Sequence, residues 1–280
     1  MQLLSGKPVA DQIHAEIRER IGQLSLCPGL AVVLVGNDPA SHLYVGLKER
    51  AATADGMHFE KHIFAETDTE AAVIDRIAAL NRNEAIHGII VQLPLPRGFD
   101  TDRVIAALDP EKDADGFHRD NVAAFLGGER AKIPVFPEAL LELLKSSGEP
   151  LLGRRSVVVA HSEYFGSVLA RACRDIGMEV EILLTPVSDE DKAILRTAQV
   201  ILTATGIPKS IDGSCIAPGS IIIDGGIAKE DGQVVGDVDA ESVSAEAGFL
   251  SPVPGGVGPV TIACLLRRVV AFLEAKKKSA

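Results

Sequence analysis

The sequence predicts an α/β protein of two domains. Three observations carry that prediction. Short apolar runs alternate with amphipathic stretches along the chain, an acid- and glycine-rich interval without periodicity interrupts them at 109–136, and a second alternation starts at Ser156. Alternation of this kind builds parallel sheets, because parallel neighbours need a long crossover, usually a helix. With 280 residues the chain can hold one large or two ordinary domains, each with a real core.

The elements follow in order. Val9, Ile13, Ile17 and Ile21 recur at steps of four, which makes residues 8–22 an amphipathic helix. Leu30–Val35 is an apolar run that Gly36-Asn37-Asp38-Pro39 breaks, so it reads as a buried strand. Ser41 is placed to cap the next helix, which carries Tyr44 and Lys48 on one face and ends near Gly56. A strand over His58–Phe64 precedes a capping-box pattern at Thr67–Glu70 and a helix marked by Val73, Ile74, Ile77 and Leu80. His87–Val91 is a short strand stopped by Gln92-Leu93-Pro94, and 102–108 is a brief helix. Residues 109–136 read as an irregular functional loop and linker. Pro137 opens a helix, being tolerated in a first turn.

From Ser156 the pattern is strand (157–159), helix (166–176), strand (180–184), helix (189–198), then strands at 200–205 and 221–224. This is a doubly wound, Rossmann-like layout of the dinucleotide-binding kind. An apolar helix from Val260 to about Ala275 closes the sequence and is expected to pack on the first domain.

Composition narrows the function classes. A net charge of −11 offers no broad basic surface for nucleic acid or an anionic membrane. Lys276-Lys277-Lys278 reads as a solvated tail. The four cysteines show neither a CxxC nor zinc spacing, so they read as buried free thiols of a reducing compartment, and no metal is expected. No apolar run reaches membrane-spanning length and MQLLSGKPVADQI lacks a signal-peptide layout, which together give the expectation of a cytoplasmic protein.

Four features can carry chemistry. Tyr44 and Lys48 follow the carboxyl end of one strand, and Gln92 sits at the end of another, where open α/β sheets hold ligands. Asp113 and Asp115 lie in the acidic loop, and Pro252-Val-Pro-Gly-Gly-Val-Gly-Pro259 allows close backbone approach. Together they would suit a polar heterocycle. A carboxylate accepts two hydrogen bonds from an amino-pyrimidine edge, a ring lies against the phenol, and the amine serves acid–base work. Each also has a plain alternative: Tyr44 and Lys48 a surface tyrosine and a solvated lysine, Gln92 capping a strand, the two aspartates bonding only loop amides, the glycine run a linker.

The strings VGNDPASHLYVGLK, GIIVQLPLP, PEKDADGFH, VVGDVD and SPVPGGVGPVT resemble, in the same order, bifunctional methylenetetrahydrofolate dehydrogenase/methenyltetrahydrofolate cyclohydrolases. The resemblance runs nearly end to end. It implies a folate-binding catalytic domain (1–136 and 256–280) completed by the C-terminal helix, and a Rossmann-like nucleotide-binding domain (137–255). It also implies two reactions at one site: hydride transfer from 5,10-methylenetetrahydrofolate to NADP, or to NAD, and hydrolysis of the methenyl product to 10-formyltetrahydrofolate. In that likeness Lys48, Gln92 and Tyr44 are catalytic. Tyr44, Asp115, Asp113, Pro252, Gly255 and Gly256 bind substrate. His161, Ser162, Gly166, Ser188 and Ile227 fall on cofactor positions, and the family's homodimer is implied as well.

The likeness weakens on the nucleotide side. The family's Gly-Arg-Ser-x-x-Val-Gly-x-Pro is here Ala160-His161-Ser162-Glu163-Tyr164-Phe165-Gly166-Ser167-Val168. Its Cys-His-Ser-x-Thr is Leu184–Ser188, its Pro-Cys-Thr-Pro-x-Gly is Pro134–Ala139, and the asparagine after Ile227 is missing. Histidine lacks the obligatory charge and fork of arginine, and Glu163 adds a negative charge near any pyrophosphate. Dinucleotide binding is therefore expected to be altered, weak or lost. The alternatives to the bifunctional enzyme are a cyclohydrolase without most of the dehydrogenase activity, and a non-enzymatic folate-binding paralogue.

Overall fold

The computed structural model describes residues 1–230 and 232–279, the side chains of 278 and 279 excepted. In chain order the elements are β1 (Gln2–Leu3), α1 (Gly6–Gly22), β2 (Gly29–Val35), α2 (Pro39–Ala54), β3 (His58–Phe64), α3 (Glu70–Arg82), β4 (Gly88–Val91), α4 (Thr101–Ile105) and α5 (Arg119–Gly127). They continue with α6 (Val135–Lys145), β5 (Arg155–Ala160), α7 (Glu163–Asp175), β6 (Glu179–Leu184), α8 (Asp189–Leu195), β7 (Val200–Ala204), β8 (Ile221–Asp224), β9 (Ala228–Glu230), β10 (Gln233–Val235), β11 (Phe249–Leu250) and α9 (Val257–Ser279). The chain packs as two compact units, residues 11–124 with 262–280, and residues 1–10 with 125–261.

The unit of residues 11–124 and 262–280 is built on a parallel sheet of order β3-β2-β4. Every residue of β2 and β4 is buried, as continuous aliphatic runs require when both sheet faces are covered. Val73, Ile77 and Leu80 of α3 pack with Ala31, Val33, Ile89 and Val91 in one core. The C-terminal helix completes this unit as expected. Its Val269 leaves so little room over β4 that a Cβ on Gly88 would stand 2.6 Å from the valine Cγ2. Arg20 holds the same helix through two hydrogen bonds to Glu274, at 3.0 and 2.7 Å.

The other unit carries six parallel strands in the order β1-β11-β8-β7-β5-β6. The sequence runs outward from β5 in both directions, to β6 on one side and through β7 on the other. That reversal is the switch point of a doubly wound sheet. β5, β7 and β8 are buried almost throughout.

Several expectations are revised. Residues 1–10, 125–136 and 256–261 group with the six-stranded unit rather than with the first sheet, because Gln2–Leu3 adds a strand beside β11. The acidic interval is not structureless: Lys112–Ala114 runs beside β4, and α5 occupies much of the remainder. Cys27 is exposed, while Cys173, Cys215 and Cys264 are buried, and all four are free. The lysine run is helical, with Lys276 paired to Glu84 and Lys277 bonded to Ser25, while the side chain of Lys278 lies outside the described residues. No described helix is long and apolar enough to cross a membrane.

Candidate functional site

The carboxyl end of β2 turns through Gly36 at φ +88°, a conformation costly for other residues. Helix α2 starts directly after it. The N-cap is Asp38 rather than Ser41: its carboxylate accepts from the Ser41 N–H and the Ser41 hydroxyl, both at 2.8 Å, with Pro39 in the first turn. The short, acidic cap outcompetes a serine three residues inside the helix. One and two turns on, Tyr44 and Lys48 emerge half-buried.

Gln92 lies one residue past β4, its N–H bonded to the Val33 carbonyl at 2.8 Å. Its side-chain NH2 donates to the Leu93 carbonyl at 2.8 Å, which fixes the amide and turns the oxygen outward. That oxygen accepts from Lys48 Nζ at 2.8 Å. Two residues 44 positions apart thus meet because β2 and β4 are parallel neighbours, with Val91 beside Val33.

Asp113 and Asp115 divide their work. Asp113 is 2% exposed, and its carboxylate accepts from the Gly116 N–H (3.0 Å), the His118 N–H (2.8 Å) and the Asn121 side chain (3.0 Å). These three bonds tie Asp113 to its own loop. Asp115, two residues on, is half-buried. Burial pushes its carboxyl above the usual range, the positive charges of Lys48 and Arg268 oppose that shift, and Asp113 adds to it. Lys48 and Asp115 are therefore electrostatic neighbours. Burial also raises the Tyr44 phenol, which keeps it protonated at neutral pH.

Sequence reasoning missed Asn121, His118 and Arg268. Arg268 stands half-buried beside Arg267 between the apolar runs 262–266 and 269–273 of α9, and a charge pair at such a position is the signal that could have found it. Asn121 left no signal, since the loop geometry that aims it at Asp113 is not periodic.

In the six-stranded unit, β5 ends at Ala160 and α7 begins after Ser162, whose hydroxyl accepts from the Phe165 N–H at 3.3 Å. Gly166 allows α7 to sit on the sheet, since a Cβ there would stand 2.7 Å from Ile182 Cγ2. His161 stacks on Phe165 with centroids 5.1 Å apart, and Phe165 packs on Phe136 at 5.9 Å. Ser188 caps α8, trading three hydrogen bonds with Asp191, and Ile227 is half exposed ahead of β9. Pro252, Gly255 and Gly256 follow β11 in a tight turn, with Gly255 at φ +101° and its carbonyl accepting from the Gly6 N–H at 2.8 Å.

The six-stranded sheet has the layout that dinucleotide sites use. The switch point lies between β5 and β7, a helix of 13 residues starts at the end of β5, and Gly206 at φ +72° follows β7 with an open approach. Among the described residues no cluster of histidine, cysteine or carboxylate groups could hold a metal ion.

Asp224, at the end of β8, is buried and accepts N–H bonds from Gly226 (2.9 Å), Asp237 (3.1 Å) and Val238 (2.9 Å). Burial pushes its carboxyl up to about 7 despite those donors, with buried Asp237 adding to the rise. A folded value above the unfolded one means stability that is full at low pH and lost as pH rises through the folded value. Denaturant unfolding of the wild type should therefore lose stability on the order of 2 kcal/mol between about pH 5 and 8, and Asp224→Asn should flatten that slope. Identical slopes would contradict this reading of Asp224.

Comparison with known proteins gives consistent matches. The family model described as tetrahydrofolate dehydrogenase/cyclohydrolase, catalytic domain, matches residues 4–115, and the model of its NAD(P)-binding domain matches 134–277. A bifunctional protein FolD of Bordetella bronchiseptica is 42% identical over 277 residues, covering 98% of both chains. The bifunctional enzyme FolD of Campylobacter jejuni superposes with a TM-score of 0.93 at 33% identity, covering 99% of each chain. The Trypanosoma brucei enzyme, solved with NADP and an inhibitor, gives 0.92 at 32% identity, covering 99% of this chain and 98% of that one.

Proposed function

Because the chain belongs to the tetrahydrofolate dehydrogenase/cyclohydrolase family, we propose that it interconverts 5,10-methylene-, 5,10-methenyl- and 10-formyltetrahydrofolate, by NAD(P)-dependent dehydrogenation and by hydrolysis. The observation that carries the reading is the 2.8 Å hydrogen bond from Lys48 to Gln92, with Asp115 within electrostatic reach.

The chain's residues divide as follows. Asp115 accepts hydrogen bonds from the amino-pyrimidine edge of the folate, and Asp113 holds the loop that presents it. The Tyr44 ring lies against the bound heterocycle, and its protonated phenol donates a hydrogen bond. In hydrolysis, water adds to the bridging carbon of the methenyl cation. Nζ of Lys48 relays the proton, taking one from that water as it adds. It returns the proton to the N5 nitrogen as the carbon–N5 bond breaks. The formyl group stays on N10 and one proton goes to solvent overall. Gln92 keeps Nζ in place between the two proton transfers, because its own amide is pinned to Leu93.

A bound nicotinamide supplies the hydride acceptor for the dehydrogenase reaction. Ser162 and Gly166 at the start of α7, with His161, Ser188 and Ile227, are the residues assigned to hold that dinucleotide. Pro252, Gly255 and Gly256 are assigned to the folate side. The unit of residues 11–124 and 262–280 is read as the catalytic domain, and the unit of residues 1–10 and 125–261 as the nucleotide-binding domain. A homodimer fits the open edge that β6 leaves on the six-stranded sheet, and four free thiols suit the cytoplasm.

Two assays on one preparation test the reading. Methenyltetrahydrofolate should hydrolyse without nucleotide, and methylenetetrahydrofolate should reduce NAD or NADP. No hydrolysis above the buffer rate refutes the cyclohydrolase half, and no nucleotide reduction refutes the dehydrogenase half.

A further inference from the structure

We propose that the dinucleotide site selects NAD over NADP, and that His161 is the residue that sets this preference. The inference rests on the NAD(P)-dependent reading above and deepens it.

In a doubly wound sheet the pyrophosphate sits at the helix that follows the first strand, and the adenosine ribose crosses towards the end of the next strand, about 20 residues on. Here those strands are β5 and β6, and their ends are level, with Ala160 opposite Leu184. The groups that meet a ribose 2′ substituent therefore come from the turn at 161–165 and the segment 184–192.

Neither segment offers a cation suited to a phosphate. The first contributes His161 and Glu163, and the second contributes Asp189, Glu190, Asp191 and Lys192. Lys192 is committed to Asp189, with Nζ to Oδ1 at 3.2 Å. The Ser188 hydroxyl is spent in the capping box, donating to Asp191 Oδ2 at 2.7 Å and accepting from the Asp191 N–H at 3.1 Å. The Phe165 N–H is already taken by Ser162. His161 remains, and its ring is laid on Phe165 at 5.1 Å with only 29° between the planes. It can present one N–H edge, not the two-pronged fork and fixed charge with which a guanidinium grips a phosphate.

A 2′-phosphate placed here would meet four carboxylate residues against that single imidazole. A 2′-hydroxyl carries no charge to be repelled and can donate to any of those carboxylates. Carboxylates near a ribose are the chemistry of hydroxyl recognition, and arginine the chemistry of phosphate recognition.

Calorimetric titration of the full chain, without folate, measures the preference directly. NAD should bind at least about tenfold tighter than NADP, the scale set by one missing charge-assisted contact. AMP and adenosine 2′,5′-bisphosphate isolate the same group, and AMP should bind tighter. His161→Arg should shift the ratio of NADP to NAD affinity towards NADP by roughly tenfold or more, and should make NADP binding the more salt-sensitive. His161 is exposed, so the variant should fold, and its melting curve checks this. NADP binding as tightly as NAD in the wild type overturns the proposal, and an unchanged ratio in His161→Arg overturns the role of His161. If neither dinucleotide binds while methenyl hydrolysis proceeds, the selectivity and the dehydrogenase half fail together. If NADP binds well, the selectivity alone fails.

Discussion

Lys48→Ala is expected to slow methenyltetrahydrofolate hydrolysis by about a hundred- to ten-thousandfold, the contribution of a positioned acid–base group. The side chain leaves without disturbing the core, since Lys48 is half-buried and its ammonium bonds the side-chain amide of Gln92. Folate affinity should change little, because the groups read as holding the heterocycle, Tyr44 and Asp115, remain. The loss should fall on kcat with KM nearly constant. Lys48→Arg separates proton transfer from charge. Arginine keeps the positive charge but does not give up its proton near neutral pH, so that variant should stay slow as well. Wild-type hydrolysis in Lys48→Ala would remove the residue from the mechanism. Recovery in Lys48→Arg would reduce its role to electrostatics.

Asp113→Ala is expected to damage binding without removing any group that touches the folate. The side chain is 2% exposed and satisfies two backbone N–H groups and the Asn121 amide. Deleting it strands those donors away from water, at a cost of about 3 kcal/mol or more to the stability of the unit. The same loop presents Asp115, so KM for folate should rise along with the loss of stability. Asp115→Ala should raise KM with a far smaller change in unfolding midpoint, because the N–H groups of Gly116 and His118 and the Asn121 amide all bond to Asp113 instead. Chemical denaturation of both variants, paired with substrate titration, resolves the two. Equal stability losses would mean that the aspartates do not divide their work in this way.

How far the chain was legible depended on the kind of force involved. The buried strands at 30–35, 157–159 and 221–224 were readable because short continuous aliphatic runs have few other uses. The Tyr44–Lys48 helix followed from the break at Gly36–Pro39, and the C-terminal helix from its apolar composition. Elements held by local polar bonding were not readable. Helix α5 sits in a stretch whose charges hide its apolar face, and β1 is two residues long, held only by pairing with β11. The split between Asp113 and Asp115 turned on which carboxylate the loop's N–H groups reach, a matter of geometry that adjacent acids in a sequence do not disclose. On the nucleotide side the departures at Ala160, His161, Glu163, Tyr164 and Phe165 were visible at once. Their consequence needed the stacking of His161 on Phe165 and the engagement of Ser188 by Asp191.

The central claim is that one chain performs both reactions and that Lys48 serves the water-adding step. Supplying 5,10-methylenetetrahydrofolate and oxidised dinucleotide to the wild type and to Lys48→Ala, and resolving the folates over time, tests it most directly. The wild type should form 10-formyltetrahydrofolate together with reduced dinucleotide, whereas Lys48→Ala should accumulate the methenyl compound wherever it still reduces the dinucleotide. Formyl product appearing at the wild-type rate in Lys48→Ala would contradict the account.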